Sequence, residues 1–553
     1  MLATSTFGGK KTTANQTYLD KVGKTRILKN VTAVEEGKDG KVASVKIGNL
    51  NIIRMNPAEA RNPNEKKRIE KNNRTLDEYA EKIKAKFATT TPTQRAALLN
   101  AIADSIESEK EALAQISHLE TALPIARVTG EVMRTVIQIR AFADLVKTGG
   151  HLLPIIDLAD PNFQPVARPD LRKSQQPLGV VSIFAASNFP LAFSVAGGDS
   201  ASALAAGCPV VVKAHPSHPN TCQMVYEVIT KAITAQGLPK EIFSLVQGVN
   251  PEITHWLAKD PLVTAIGFTG SGLVGKLLIK LAQERPVPIP VYAEMGSLNP
   301  VFFTPTALAE KADELAKAAM DSALLGSGQF CTKPGIIIVP SDASGDKFIA
   351  QVQSYVAEQK VGPLLNKGIA TRFIEAITSI SKAKGVKVLT GVSNPDGYGV
   401  TPSIFVVDWA DVKNHDDLLE EHFGPTSVII RAPFDQYLAV AKAMSGQLAS
   451  AIHAGNNEKL PELVSQLSQK AGRLIWNGFP TSVSVTAAQN HGGQWPASSS
   501  HTTSVGLDSL FRFVRPVVYQ NFPDNQLPAE LQNANPYAIE RVINGVRSNK
   551  AIN

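Results

Sequence analysis

Residues 178–214 read LGVVSIFAASNFPLAFSVAGGDSASALAAGCPVVVKA, and the pattern changes several times within them. LGVVSIF is a continuous apolar run, as expected of a strand buried on both faces. Ser187, Asn188 and Pro190 interrupt it. The small-residue segment AGGDSASALAAG then predicts a helix, and CPVVVKA predicts a second buried strand. Farther along come a helix in HPNTCQMVYEVITKAITAQG, a strand in IFSLVQG, a helix in PEITHWLAKD, a strand in LVTAIGFTG and a helix in LVGKLLIKLAQ. Such alternation is the signature of a parallel sheet covered on both faces.

VPIPVYAEMGSLNPVFF, at 287–303, reads as a strand leading out of that unit, and a second series starts with ALAEKADELAKAAMDSALLG and GIIIVP. The fold class is therefore α/β, with two parallel-sheet domains joined near residue 296. Upstream, TLDEYAEKIKAKFA, TQRAALLNAIADSIESEKEALAQISHLE and GEVMRTVIQIRAFADLVKTGG repeat apolar residues at helical spacing, and TTTPT offers a cap before the second. LFRFVRPVVYQNF reads as one further strand. With the segment near 155–176 it would form a β-ribbon able to pair with another subunit, since open strand edges invite pairing.

The composition excludes several classes. The chain has 553 residues, 43% hydrophobic and 19% charged, enough for a large core and more than one domain. No apolar run reaches the roughly 20 residues of a membrane span. Cys208, Cys222 and Cys331 make no disulfide framework and no paired ligand spacing, so a reducing cytoplasm and no metal are expected. His215 and His218 are read as a structural pair. The net charge of +7 lies partly in Lys10, Lys11, Lys66, Lys67, Arg68, Lys71 and Arg74, without interleaved aromatics, so nucleic acid is not an expected partner.

GSGLVG, from Gly270 to Gly275, matches G-x-G-x-x-G between a strand and a helix, where backbone can approach a pyrophosphate. An acid about 20 residues later would hold a ribose, and Glu294 stands there. Three predicted strands precede this turn, so phosphate contact is expected without the usual ribose geometry. A second reading of Glu294 joins SNFPLAF (187–193), VVVKAHP (210–216), FTGS (268–271), AEMGSLNP (293–300), GQFCTKP (328–334) and EEHFGP (420–425). In order and spacing these resemble the aldehyde dehydrogenase superfamily, and the resemblance runs from about residue 75 to about 520.

The resemblance implies an NAD(P)-binding domain over 1–154 and 177–296, a catalytic domain over 297–500, bridging oligomerisation segments at 155–176 and 505–520, and a C-terminal tail at 521–553. It also implies a homodimer or homotetramer acting on a small aldehyde. Cys331 is its nucleophile. An aldehyde lacks a leaving group, so a thiolate must first convert it into a tetrahedral species that can expel hydride, leaving a thioester open to water. Asn188 and the Cys331 N–H would hold the oxyanion. Glu294 becomes the base for hydrolysis, with a pKa expected to rise on burial. Lys213 would hold ribose hydroxyls, Ser271 with Gly270 and Gly275 would face the pyrophosphate, and Glu421 and Phe423 would position the nicotinamide half.

Two departures bear on specificity. Many relatives carry an acid just after the strand lysine, whereas this chain has Ala214, His215 and Pro216. Loss of that charge admits NADP, with His215 favouring it, so NADP is expected ahead of NAD. Ala196, Gly197 and Gly198 would leave space beside the aldehyde tunnel. With HGGQWPASSSHTTSVG, at 491–506, they resemble the subgroup of 2-oxoglutarate semialdehyde (2,5-dioxopentanoate) dehydrogenases and an NADP-linked long-chain fatty aldehyde dehydrogenase. The dicarbonyl acid is the favoured substrate and a fatty aldehyde the alternative. Arg134, Arg140 and the run Ser498–Ser504 are the candidates for its carboxylate. A non-catalytic structural oligomer is the reading from another class, opposed by the intact Cys331, Glu294 and Asn188. Glu294 as a hydrolytic base favours water over coenzyme A as acyl acceptor.

Overall fold

The computed structural model describes residues 62–391, 398–412 and 416–553, with five short strands between Thr17 and Asn51. The basic residues Lys10 and Lys11 lie outside the described residues. Four helices open the main body: Pro63–Ala88, Pro92–Ser108, Lys110–Thr121 and Ile125–Lys147. Thr91 caps the second in a reciprocal capping box with Gln94, as TTTPT leads one to expect. The expected single helix beyond it breaks at Glu109 (φ −99°, ψ 14°). Leu98, Leu99 and Ile102 before the break and Leu113 after it are all buried, so the break lets two apolar faces reach one core.

The first sheet has five parallel strands, in spatial order Phe243–Val246, Val210–Lys213, Val180–Phe184, Val263–Thr269 and Val291–Glu294. The order reverses between Val180–Phe184 and Val263–Thr269, which opens a crevice at the carboxyl ends of the strands, where ligands of such sheets bind. Lys213, Thr269 and Glu294 all end strands at that edge.

A seven-stranded sheet follows, in order Lys387–Val388, Ser403–Asp408, Thr426–Ala432, Ile336–Pro340, Val301–Phe303, Gln447–His453 and Ala471–Trp476. Only the first pair is antiparallel. The expected strand in VPIPVYAEMGSLNPVFF is two strands, one in each sheet. Residues 295–300 run between them, with Asn299 at a left-handed φ of 46° just before Pro300 and the second strand. Glu294 thus ends its strand where the chain passes from the first sheet to the second.

A third sheet pairs Val514–Gln520 antiparallel with Leu171–Pro177, then adds Ile155–Asp157, Arg541–Ile543 and Val546–Ser548. Residues 521–553, read as a tail, supply its last two strands, with Arg541 fully buried. Among the described residues no helix is long and apolar enough to cross a membrane.

Candidate active site

Cys331 sits on the loop that follows helix Pro305–Leu324. Gly326, Ser327 and Gly328 take φ of 59°, 60° and 65° in succession, a left-handed turn that glycine tolerates best. A Cβ on Gly328 would stand 2.1 Å from the Gly424 carbonyl oxygen, so only glycine lets the loop lie on EEHFGP. Lys333 fastens the contact, its Nζ donating to the carbonyls of His422 (2.6 Å), Gly424 (3.2 Å) and Thr426 (2.8 Å). Asn299 Nδ2 donates to the carbonyls of Cys331 (2.8 Å) and Lys333 (2.9 Å). Gln329 Oε1 accepts from the Leu365 N–H at 2.9 Å.

Asn188 comes from the other domain, on the turn after Val180–Phe184, and its Nδ2 donates to the Gln329 carbonyl at 3.0 Å. Two side chains of helix Ile125–Lys147 hold that turn. Glu131 accepts from the N–H groups of Leu191 (2.8 Å) and Ala192 (2.9 Å). Arg127 donates to the Asn188 carbonyl (2.7 Å) and lies over the rings of Phe189 (5.0 Å) and Phe330 (5.2 Å), which ties the asparagine turn to the cysteine loop.

The structure adds a fourth residue, His491. Its Nε2 is 3.6 Å from Cys331 Sγ and 3.0 Å from Glu294 Oε1, while Glu294 Oε2 accepts from Ser504 Oγ at 2.6 Å. Glu294 Oε1 is buried and receives no well-aligned hydrogen bond. The 3.0 Å approach is therefore an electrostatic contact that leaves one lone pair for another donor. Donor atoms of Cys331, Glu294 and His491 lie within 4.8 Å of one another, which suits proton exchange and would also suit a cation. His491 opens HGGQWPASSSHTTSVG, yet no spacing in the sequence linked it to a cysteine 160 residues away.

Electrostatics departs from expectation. Burial raises the Glu294 pKa, but the nearby His491, the hydrogen bond from Ser504 and the closeness of Cys331 outweigh it, so the carboxyl titrates below its ordinary value. The expected upward shift is corrected accordingly. Burial and the charges of Glu294 and Glu421 push the Cys331 thiol well above its ordinary value, against the smaller opposing pull of Arg134. Cys331 is thus a thiol until a base takes its proton. Glu421 rises to about 7 through burial, with Lys333 opposing.

The residues expected to face a dinucleotide line the carboxyl edge of the first sheet and its far wall. Lys213 is buried at its strand end, donates to the Ala214 carbonyl at 2.7 Å and is lowered by burial to about 8. Ser271 is exposed at the start of helix Gly272–Gln283, and its side chain does not cap that helix. Gly270 N–H donates to the Glu294 carbonyl at 3.0 Å, joining the glycine turn to the end of the Glu294 strand. Gly275 is small for packing, since a Cβ there would stand 2.5 Å from Met295 Sδ. Glu421 Oε1 lies 3.4 Å from the Ser297 N–H, and Phe423 packs at the edge of the core. His215 stacks on His218 with ring centres 5.5 Å apart. Burial, His218 and Lys213 lower its pKa to about 3, so it is neutral. Its Nδ1 accepts from the Ser217 N–H, which leaves Nε2–H as a donor.

The space expected from Gly197 and Gly198 is filled. A Cβ on Gly198 would meet Gln138 Nε2 at 2.4 Å, and one on Gly197 would meet the 192–194 backbone at 2.8 Å. These glycines serve close packing and widen no tunnel. Cys208 and Cys222 are fully buried, Cys208 donating to the Phe513 carbonyl at 3.3 Å and Cys222 lying 3.2 Å from His218 Nδ1.

Residues 55–515 match the aldehyde dehydrogenase family. Alpha-ketoglutaric semialdehyde dehydrogenase 2 of Azospirillum brasilense is 43% identical over 456 residues, covering 82% of this chain and 87% of that protein. Alpha-ketoglutaric semialdehyde dehydrogenase of Acinetobacter baylyi is 39% identical, covering 85% and 92%. Among solved structures, the NADP complex of a glyceraldehyde-3-phosphate dehydrogenase from Methanocaldococcus jannaschii superimposes with a TM-score of 0.69 at 21% identity, covering 89% of this chain and 100% of that one. With Cys331, Glu294 and the Asn188 amide gathered between the two sheets, the chain belongs to the aldehyde dehydrogenase family of NAD(P)-dependent enzymes that oxidise aldehydes.

Proposed function

We propose that this enzyme oxidises 2-oxoglutarate semialdehyde to 2-oxoglutarate, accepts NADP as well as NAD, and works as a homodimer or homotetramer. What carries the substrate reading is the similarity, at 43% and 39% identity over most of the chain, to two proteins named for that substrate.

The residues at the sheet edge fit a dinucleotide: Lys213 for ribose hydroxyls, Ser271 and the glycine turn for pyrophosphate, Glu421 and Phe423 for the nicotinamide half. When bound, that cofactor supplies the hydride acceptor. The protein does the rest. The Cys331 proton leaves as the thiol adds to the aldehyde carbon, and the groups within reach to take it are the ionised Glu294 and His491, whose Nε2 stands 3.6 Å from the sulfur. The Asn188 amide and the Cys331 N–H stabilise the oxyanion. Once the thioester has formed, Glu294 Oε1, buried and short of a donor, receives a proton from water as hydroxide adds to the acyl carbon, and as the acid departs the expelled thiolate recovers that proton from Glu294.

The neutral His215 offers a 2′-phosphate one hydrogen bond and no charge, and no carboxylate follows Lys213 to repel it. This supports acceptance of NADP more than exclusion of NAD. Steady-state assay of one preparation with the semialdehyde and with long alkanals, each with NADP and NAD, tests the reading. The semialdehyde is expected to give the highest kcat/KM and NADP to be used. Higher efficiency with long alkanals would reject the substrate, and a strong preference for NAD would reject the cofactor reading.

A further inference from the structure

The substrate proposed above carries a carboxylate that needs a cationic partner, and the structure separates the three candidates. Arg140 is spent, bound to Asp104 (2.7 Å) and Glu107 (2.6 Å) at the exposed end of its surroundings. Three members of the serine run are spent as well. Ser499 Oγ accepts from the Ala293 N–H (2.8 Å), Ser504 Oγ holds Glu294, and Thr503 Oγ1 accepts from the His491 N–H (2.7 Å). These residues build the base and not an anion site.

Arg134 differs. It projects from helix Ile125–Lys147 over the Phe193 ring at 5.2 Å, and Phe193 stands 6.3 Å from the His491 ring, which is itself beside Cys331. One nitrogen, Nη2, donates to the Val483 carbonyl at 3.3 Å. The other, Nη1, is buried with no hydrogen-bond partner among the described residues. Its charge is felt at Cys331, Glu294 and Glu131. Arg473 grips the same loop from strand Ala471–Trp476, donating to the carbonyls of Ser482 (2.7 Å) and Pro480, and its charge is also felt at Cys331.

An unmet buried guanidinium N–H is costly unless something completes it. A carboxylate does so with charge assistance, and arginine suits it better than lysine because its donors form a fixed fork. In the semialdehyde, four carbon–carbon bonds separate aldehyde carbon from carboxylate carbon, about 5 Å when extended. Arg134 is linked to Cys331 through Phe193 and His491, close enough for its charge to bear on the sulfur, and that is the setting into which such a substrate would bring both its ends.

We infer that Arg134, steadied by the 480–483 loop that Arg473 also holds, is the anchor for the substrate carboxylate and the residue that selects short 2-oxo acid semialdehydes over neutral aldehydes. This rests on the substrate proposed above. The test measures kcat/KM for 2-oxoglutarate semialdehyde and for pentanal in the wild type, Arg134→Met and Arg134→Lys. The ratio of the two efficiencies is expected to fall about 10- to 100-fold in Arg134→Met, the loss of a charge-assisted hydrogen bond, through KM for the acid, and to recover in part in Arg134→Lys. An unchanged ratio in Arg134→Met overturns the anchor, as does a loss carried by kcat for both aldehydes. If Arg134→Met does not fold, Arg134→Lys decides: a raised KM confined to the acid supports the anchor, and an unaltered one overturns it. Failure of the substrate reading shows separately, as a wild type that prefers pentanal.

Discussion

At the scale of single residues, the site works because three side chains constrain one another. The Cys331 thiol is held protonated by burial and by the charges of Glu294 and Glu421, whereas Glu294 is kept ionised by His491 and Ser504. Two proton transfers are needed, the first from the Cys331 thiol and the second from water, and the reading proposed above gives the second to Glu294. Glu294→Gln keeps volume and the Ser504 contact but cannot take a proton from water. We expect its kcat to fall about 10²- to 10⁴-fold, the usual range for a general base, with a burst of one reduced cofactor per site in rapid mixing. The same loss without a burst would move Glu294 to the acylation step. Cys331, Glu294 and Asn188 were legible in the sequence because each lies in a distinctive local motif. His491 was not, because its role is created by a 3.6 Å approach between distant segments. Without His491 in view, burial alone dictated the wrong direction for the Glu294 pKa.

At the scale of elements, strand and helix alternation was legible from periodicity, while the interruptions that position chemistry were not. The stretch 295–300 divides one apparent strand between two sheets, and Glu109 divides one apparent helix, because tertiary burial on either side outweighs local continuity. GSGQFC shows the same dependence: its glycines are required by an approach of Gly328 to Gly424 that no local rule reveals. Gly328→Ala would force apart the cysteine loop and EEHFGP, and a misplacement of about 1 Å is enough to cost about 100-fold. We expect kcat to drop by that order. Gly237 supplies the control, since it also has a left-handed φ, of 71°, but nothing within 4 Å of an added Cβ. Gly237→Ala should cost only about 1–2 kcal/mol of backbone strain, read as a lower Tm with kcat retained. Equal kcat in the two variants would mean that the Gly328 contact does not hold the loop.

At the scale of the molecule, the sheets end unevenly. The seven-stranded sheet finishes on one side with the two-residue strand Lys387–Val388, short and charged in the way edges are commonly protected. On the other side stands the six-residue strand Ala471–Trp476, with Leu474 38% and Trp476 47% exposed. In the third sheet the seven-residue strand Val514–Gln520 has one neighbour and leaves Val518 55% exposed, with Phe522 just beyond at 48%. Long, partly apolar edges invite pairing, and two complementary edges on one chain let a two-fold axis satisfy both at once. Sedimentation at micromolar concentration is therefore expected to give a dimer or a tetramer. Lysine at either edge, as Val518→Lys or Trp476→Lys, places charge where strands would meet and should shift the mass toward the monomer, without touching Cys331, Glu294 or His491. A monomeric wild type would refute the assembly, and an oligomer unmoved by both substitutions would place its interface elsewhere than these two edges.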